Sequence, residues 1–126
     1  MNMEKIYTIN APEAIGPYSQ AVKVGNLVFT SGQIAINPSS GAVEATDIVG
    51  QTEQVCKNLC AVLEAAGTSI DKVIKTTCFL SDMADFAAFN EVYGKYFVGK
   101  PARSCVAAKT LPKNVLVEVE VIAAIN

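Results

Sequence analysis

Two charged residues stand where a hydrophobic sheet has little use for charge. Arg103 lies in the run Pro101-Ala102-Arg103-Ser104-Cys105-Val106, and Glu118 lies within the apolar stretch from Val115 to Ile125. Both stretches read as strands. A charge in such a setting is expensive unless it is paired or meets a ligand. The planar guanidinium fork fits a carboxylate in a bidentate way, so Arg103 is a candidate clamp for a small acid. A charge-assisted hydrogen bond of that kind contributes about 1.5–3 kcal/mol. A structural salt bridge from Arg103 to Glu118 or Glu120 accounts for the same residues equally well. Glu118 could hold or activate a water; Glu120, one pleat on, fits plain exposure better. Cys105 is a candidate nucleophile by type, but a thiol attacks as its thiolate, and the chain has no histidine to generate one. The backbone groups of Cys105 beside Arg103 are the more useful feature.

Further polar and glycine positions fall near these. Gly16-Pro17-Tyr18-Ser19 is a turn signal next to an aromatic ring, or an ordinary loop. Ser31-Gly32 interrupts an apolar strand, where glycine permits close approach of a ligand or marks a bulge. Asn90 shares a helical stripe with Phe86 and Phe89. A buried amide there needs partners, so it braces a neighbouring loop or touches a ligand.

Composition removes several alternatives. Without histidine there is no Ser-His-Asp triad, no Cys-His dyad and no histidine metal site. The four cysteines, Cys56, Cys60, Cys78 and Cys105, form no C-x-x-C pair, which argues against zinc; Cys56 and Cys60, one helical turn apart, read as core thiols. A net charge of −2, a pI near 5.0 and no basic block argue against nucleic acid as a partner. No apolar run approaches a membrane span. Residues 1–10 lack a basic start followed by an apolar core, and a cytoplasmic location is the expectation. At 126 residues the chain is expected to be one domain. Its 51% hydrophobic content is high for a monomer and points to apolar surface covered by copies of itself.

The elements that must position these groups follow from periodicity. Residues 20–24 and 27–36 predict a hairpin around Gly25-Asn26, and residues 37–41 a loop. Thr46 or Asp47 can cap a helix ending near Ala66, with Gly67 as its stop. Val73 to Leu80 reads as a strand, residues 84–97 as a second helix, 103–109 as a strand and 115–125 as the last. The order gives an α+β domain, one mixed sheet with two helices on one face. In the last strand Val115, Val117, Val119 and Val121 should meet the helices, leaving Leu116, Glu118, Glu120 and Ile122 on the other side for a neighbouring subunit. The short turn at 110–114 predicts that the last two strands are adjacent and antiparallel. Alternation then puts Arg103 and Cys105 on the Glu118 face, with Val106 and Ala108 toward the helices.

Several of these stretches together resemble one family: Ala14-Ile15-Gly16-Pro17-Tyr18-Ser19-Gln20, Thr30-Ser31-Gly32-Gln33-Ile34, Asn58-Leu59 with Glu64-Ala65-Ala66-Gly67, and Pro101-Ala102-Arg103-Ser104-Cys105-Val106 through Val117-Glu118-Val119. They are similar to the Rid family, the reactive intermediate deaminases, also called the YjgF or translation-inhibitor endoribonuclease family, in its RidA-like branch. The likeness spans essentially the whole chain, in order. It implies a chorismate-mutase-like α+β fold and a homotrimer whose sheets form a central β-barrel, with sites between subunits. It implies hydrolysis of 2-iminobutanoate and 2-iminopropanoate, imines released by pyridoxal-phosphate-dependent threonine and serine dehydratases, to 2-oxo acids and ammonia, with no cofactor and no metal. Arg103 would clamp the carboxylate. Glu118 would orient water, helped by the Cys105 backbone carbonyl. Tyr18 would cover the site, and Ser31, Gly32 and Asn90 would shape it. A non-catalytic regulatory trimer binding small metabolites is the alternative, and an endoribonuclease is a weaker one. Two departures stand out: Val98-Gly99-Lys100 is shorter than usual for that family, which could alter the rim of the cleft, and Val119 replaces a methionine or isoleucine.

Overall fold

The computed structural model describes residues 2–126. Its strands are β1 (Met3–Ile6), β2 (Ala21–Val24), β3 (Leu27–Thr30), β4 (Ile36–Asn37), β5 (Ala42–Val43), β6 (Val73–Leu80), β7 (Ala102–Ala107) and β8 (Val117–Ala124), and its helices are α1 (Ile48–Ala65) and α2 (Phe86–Tyr96). Six strands form one mixed sheet in the order β1-β2-β3-β8-β6-β7, and β4 pairs with β5 in a separate ribbon. Among the described residues no helix is long and apolar enough to cross a membrane.

Local chemistry sets the boundaries. The β2–β3 hairpin turns through Gly25, with φ of 59°, and Val24 faces Leu27 in register. Asp47 caps α1 by accepting from the Gly50 amide at 3.0 Å. At its other end Gly67 adopts φ of 89°. The Gly67 amide then reaches the Glu64 carbonyl and the Thr68 amide reaches that of Leu63, each at 3.0 Å, a Schellman closure. The second helix starts later than residue 84, because Asp82 first caps a short 3-10 turn over Met83–Asp85.

Both helices cover one face of the sheet. Val55, Leu59, Val62 and Leu63 of α1 and Phe89 of α2 pack with Val117, Val119 and Val121 of β8, all buried. The valine side of the last strand therefore meets the helices, as alternation predicts. On the other face Leu116, Phe79 and Ile122 stay partly accessible and Phe29 is 40% exposed.

The expected pairing of the last two strands is overturned. The unit β6-α2-β7 is a crossover connection that lays β7 parallel to β6 at the sheet edge. β8 runs antiparallel on the opposite side of β6. The chain between β7 and β8 passes across the end of β6, where the Ala108 amide bonds the Leu80 carbonyl and the Ser81 amide bonds that of Leu116. The facing of β7 is overturned with it. Arg103 is in register with Thr76 and Cys105 with Cys78, and Thr76 and Cys78 are fully buried under the helices. Arg103 and Cys105 thus lie on the helix side, and Val106 is half exposed. Residues 31–36 also leave the predicted long strand: β3 stops at Thr30, and only Gln33 bridges back to Val119.

Candidate functional site

Arg103 is built into the β6-α2-β7 unit. Its guanidinium carbon sits 4.8 Å from the Tyr93 ring centroid and 5.3 Å from that of Phe86, within range of cation–π attraction. One nitrogen donates to Asn90 Oδ1 at 2.7 Å, its one side-chain hydrogen bond among the described residues. Asn90 is therefore a brace for the arginine. Tyr93 is fixed in turn: its hydroxyl and that of buried Thr76 lie 2.8 Å apart, and its ring stacks on Phe97 at 4.4 Å. A cation held by a neutral amide and two ring faces has most of its donors free for an anion. Beside it opens a groove of about 470 Å³ lined by Tyr93, Phe97, Val98, Lys100, Pro101 and Arg103, with Gly94.

Cys105 lies two residues on, partly buried against the core. Burial pushes its thiol up, with the Arg103 charge pulling the other way. The thiol is held protonated, which suits packing better than nucleophilic attack.

Glu118 belongs to a second cluster on the opposite face. It projects from β8 into a cavity of about 620 Å³ whose wall includes Glu13, Tyr18, Ser31, Gly32, Lys113 and Glu120. Gly32 makes room for it. A Cβ at that position would lie 2.8 Å from Glu118 Cδ and closer still to Oε2. Burial, and then the neighbouring Glu120 charge, raise the Glu118 pKa above its ordinary value of 4.5. That is the setting of a carboxylate able to take and return a proton.

The loop over this cavity is pinned by Gln20, which is buried. Gln20 Oε1 accepts from the Thr8 amide at 2.7 Å, and Nε2 donates to the Pro12 carbonyl at 2.8 Å. Ser31 Oγ donates to the Ser19 carbonyl at 2.6 Å, so this hydroxyl braces the loop. Tyr18 stands exposed at the mouth, its hydroxyl accepting from the Ile15 amide at 3.2 Å, after a turn in which Gly16 has φ of 130°.

The structure thus gathers Tyr18, Ser31, Gly32 and Glu118 in one cavity and Asn90, Arg103 and Cys105 around the other. It does not join the two sets within a chain, because they occupy opposite faces of one sheet. The Arg103–Glu118 salt bridge fails for the same reason. Gln20, Tyr93 and Lys113 are site residues that sequence reasoning passed over. Gln20 was legible as an amide closing the Gly16-Pro17-Tyr18-Ser19 motif, whereas Tyr93 reads as one more aromatic of the helical stripe.

The sequence profile of the family described as endoribonuclease L-PSP matches residues 8–125. A RutC family protein of Pyrococcus horikoshii is 55% identical over 121 residues, covering 95% of this chain and 96% of that one. Among solved structures, YyfA of Yersinia pestis, a protein of the conserved Rid family, is 48% identical with a TM-score of 0.95, covering 98% of this chain and 100% of that one. Escherichia coli TdcF with bound serine is 44% identical with a TM-score of 0.93, covering 98% and 99%. With the profile spanning most of its length and relatives this similar over nearly all of theirs, the chain belongs to the endoribonuclease L-PSP (YjgF/RutC/Rid) family.

Proposed function

We propose that the protein hydrolyses small 2-imino acids, 2-iminobutanoate and 2-iminopropanoate among them, to 2-oxo acids and ammonia. The observation that carries this reading is the pair of half-sites. One presents a nearly unpartnered arginine. The other presents a half-buried glutamate of raised proton affinity. Their linings carry opposite formal charge, Lys100 and Arg103 on one side against Glu13, Glu118 and Glu120 with Lys113 on the other. Such halves complement one another across neighbouring copies, and the open apolar sheet face of Phe29, Phe79 and Ile122 is suited to bring copies together. A homotrimer with its sheets around a central barrel and a site in each cleft satisfies both.

In that cleft Arg103 holds the substrate carboxylate and Glu118 takes a proton from water. The water oxygen attacks the iminium carbon, giving a carbinolamine. Glu118 returns the proton to nitrogen, then takes the hydroxyl proton as the C–N bond breaks, so that the carbonyl of the 2-oxo acid forms and ammonia leaves, carrying that last proton away as ammonium. The protonated imine is already electrophilic, so holding it against an oriented water supplies much of the acceleration. Cys105 contributes its main chain, Tyr18 covers the cleft, and the chemistry calls on no cofactor. Substrates of this class are released by pyridoxal-phosphate-dependent dehydratases, which places the protein beside such an enzyme in the cytoplasm.

A threonine dehydratase generating 2-iminobutanoate with semicarbazide present tests the reading. Faster 2-oxobutanoate release and less trapped imine, both lost in Arg103→Ala, are expected; no acceleration with several dehydratase substrates would overturn it. The second reading, a regulatory trimer binding small metabolites without turnover, is favoured by the serine held in TdcF. Glu118→Gln separates the two, since it stops turnover while leaving ligand binding in place. The ribonuclease reading finds little support in a chain with no histidine and a net charge of −2.

A further inference from the structure

The groove beside Arg103 holds more than a carboxylate clamp requires. Its lining carries two cations, Lys100 and Arg103, and no carboxylate, over apolar walls of Tyr93, Phe97, Val98 and Pro101. One substrate carboxylate neutralises only Arg103. Lys100 is set in place by its backbone. Its φ of 54° lies in the left-handed region, which residues other than glycine seldom enter, and its amide closes a turn onto the Phe97 carbonyl at 3.1 Å. Gly99 before it packs so closely that a Cβ would lie 3.3 Å from the Asp71 carbonyl oxygen. The short Val98-Gly99-Lys100 link is therefore pinned at two points, and strained backbone held this way gathers at functional sites. Tyr93 and Phe97, stacked on one another, stand among the apolar lining of the groove. Gly94 also lines the groove, and a Cβ there would enter open space, with nothing within 4 Å. The volume of about 470 Å³ falls in the range of small-ligand pockets.

The geometry points to a side-chain subsite, in which the substrate chain beyond Cβ lies along Tyr93 and Phe97 and Lys100 receives a second carboxylate. The substrate class so assigned is the dicarboxylic 2-imino acids, the products of oxidising acidic amino acids at Cα. The assignment rests on the imine-hydrolase reading and deepens it.

The test compares two imines made in situ by flavin oxidases, one from alanine and one from glutamate, each with semicarbazide as trap. It uses the full-length protein in its native assembly. Wild type hydrolyses both. In Lys100→Ala the ratio of kcat/KM for the glutamate-derived imine over the alanine-derived one falls about tenfold, the low end for a charge-assisted hydrogen bond, and the loss sits in KM. Lys100→Glu lowers the ratio further. Gly94→Leu, which adds bulk to the lining while leaving both cations in the sequence, also lowers it. An unchanged ratio in these variants, or a wild type that turns over only the alanine-derived imine, overturns the subsite and leaves the hydrolase standing. No turnover of the alanine-derived imine by wild type overturns both.

Discussion

Gly32→Ala is the sharpest perturbation available. The added methyl would lie 2.8 Å from Glu118 Cδ and 3.0 Å from Cγ. Ordinary carbon contacts begin at roughly 3.5 Å, so the carboxylate must retreat by about 1 Å. Gly32 lies outside the left-handed region, and the obstacle is the far end of a flexible side chain. The fold therefore tolerates the change while the geometry does not. A misplacement of about 1 Å at a reacting group can lower the rate by about 100-fold. Pushed outward, Glu118 also loses part of the burial that raises its pKa, so the acid limb of the rate profile moves to lower pH. The Arg103 cluster, on the other face, is untouched. Steady-state hydrolysis of 2-iminobutanoate should show kcat down about 100-fold with an unchanged inhibition constant for 2-oxobutanoate and a melting temperature no lower than that of the wild type. A folded variant retaining wild-type kcat would refute the placement of Glu118 at the reacting water.

The same carboxylate links activity to stability. Its folded-state pKa lies above the ordinary 4.5, so between those two values the native state binds more protons than the unfolded one. Stability is lost as pH rises through that window. Glu118→Gln should then raise the melting temperature at pH 7, give no gain below about pH 4, and abolish turnover; calorimetry at both pH values checks it. Arg103→Lys keeps the charge but loses the fork and the ring contacts, and the 2-oxobutanoate inhibition constant should rise about tenfold or more by competition assay. Asn58→Ala removes an amide that donates to the Ile34 and Ile36 carbonyls at 3.0 and 2.9 Å. The Ile34 carbonyl keeps the Ile36 amide at 2.8 Å, so the loss should cost about 1–3 kcal/mol in urea unfolding and loosen the segment that follows Gly32.

What could be read from the sequence follows how local the cause is. Asp47 and Gly67 bound α1 through contacts within a few residues, and the valine alternation of β8 names its buried side without outside help. β1 went unread because Met-Glu-Lys-Ile is short, charged and mostly exposed; only its pairing with β2 makes it a strand. β7 was misplaced for a different reason. A short turn argues for a hairpin, but the β6-α2 crossover had already claimed the edge of β6, leaving β8 the inner position between β3 and β6. Alternation says which residues share a face, not which face it is, and an edge strand of Ala, Ser and Val carries no marker to decide. Arg103 therefore lies on the opposite side of the sheet from the one alternation suggested, and Asn90 bonds not a neighbouring loop but the Arg103 side chain on β7, at 2.7 Å.

If the proposed assembly holds, Arg103 and Glu118 on opposite faces of one sheet mean that each copy supplies the anion-gripping half of one cleft and the water-handling half of another. On the proposed assembly, inactivation behaves as a property of the cleft and not of the polypeptide. Arg103→Ala and Glu118→Gln chains, each silent alone, would regain a fraction of wild-type turnover when unfolded together and reassembled, because some clefts would inherit both intact halves. In a cell carrying both alleles the defects would complement, while a chain bearing both substitutions would poison every cleft it enters.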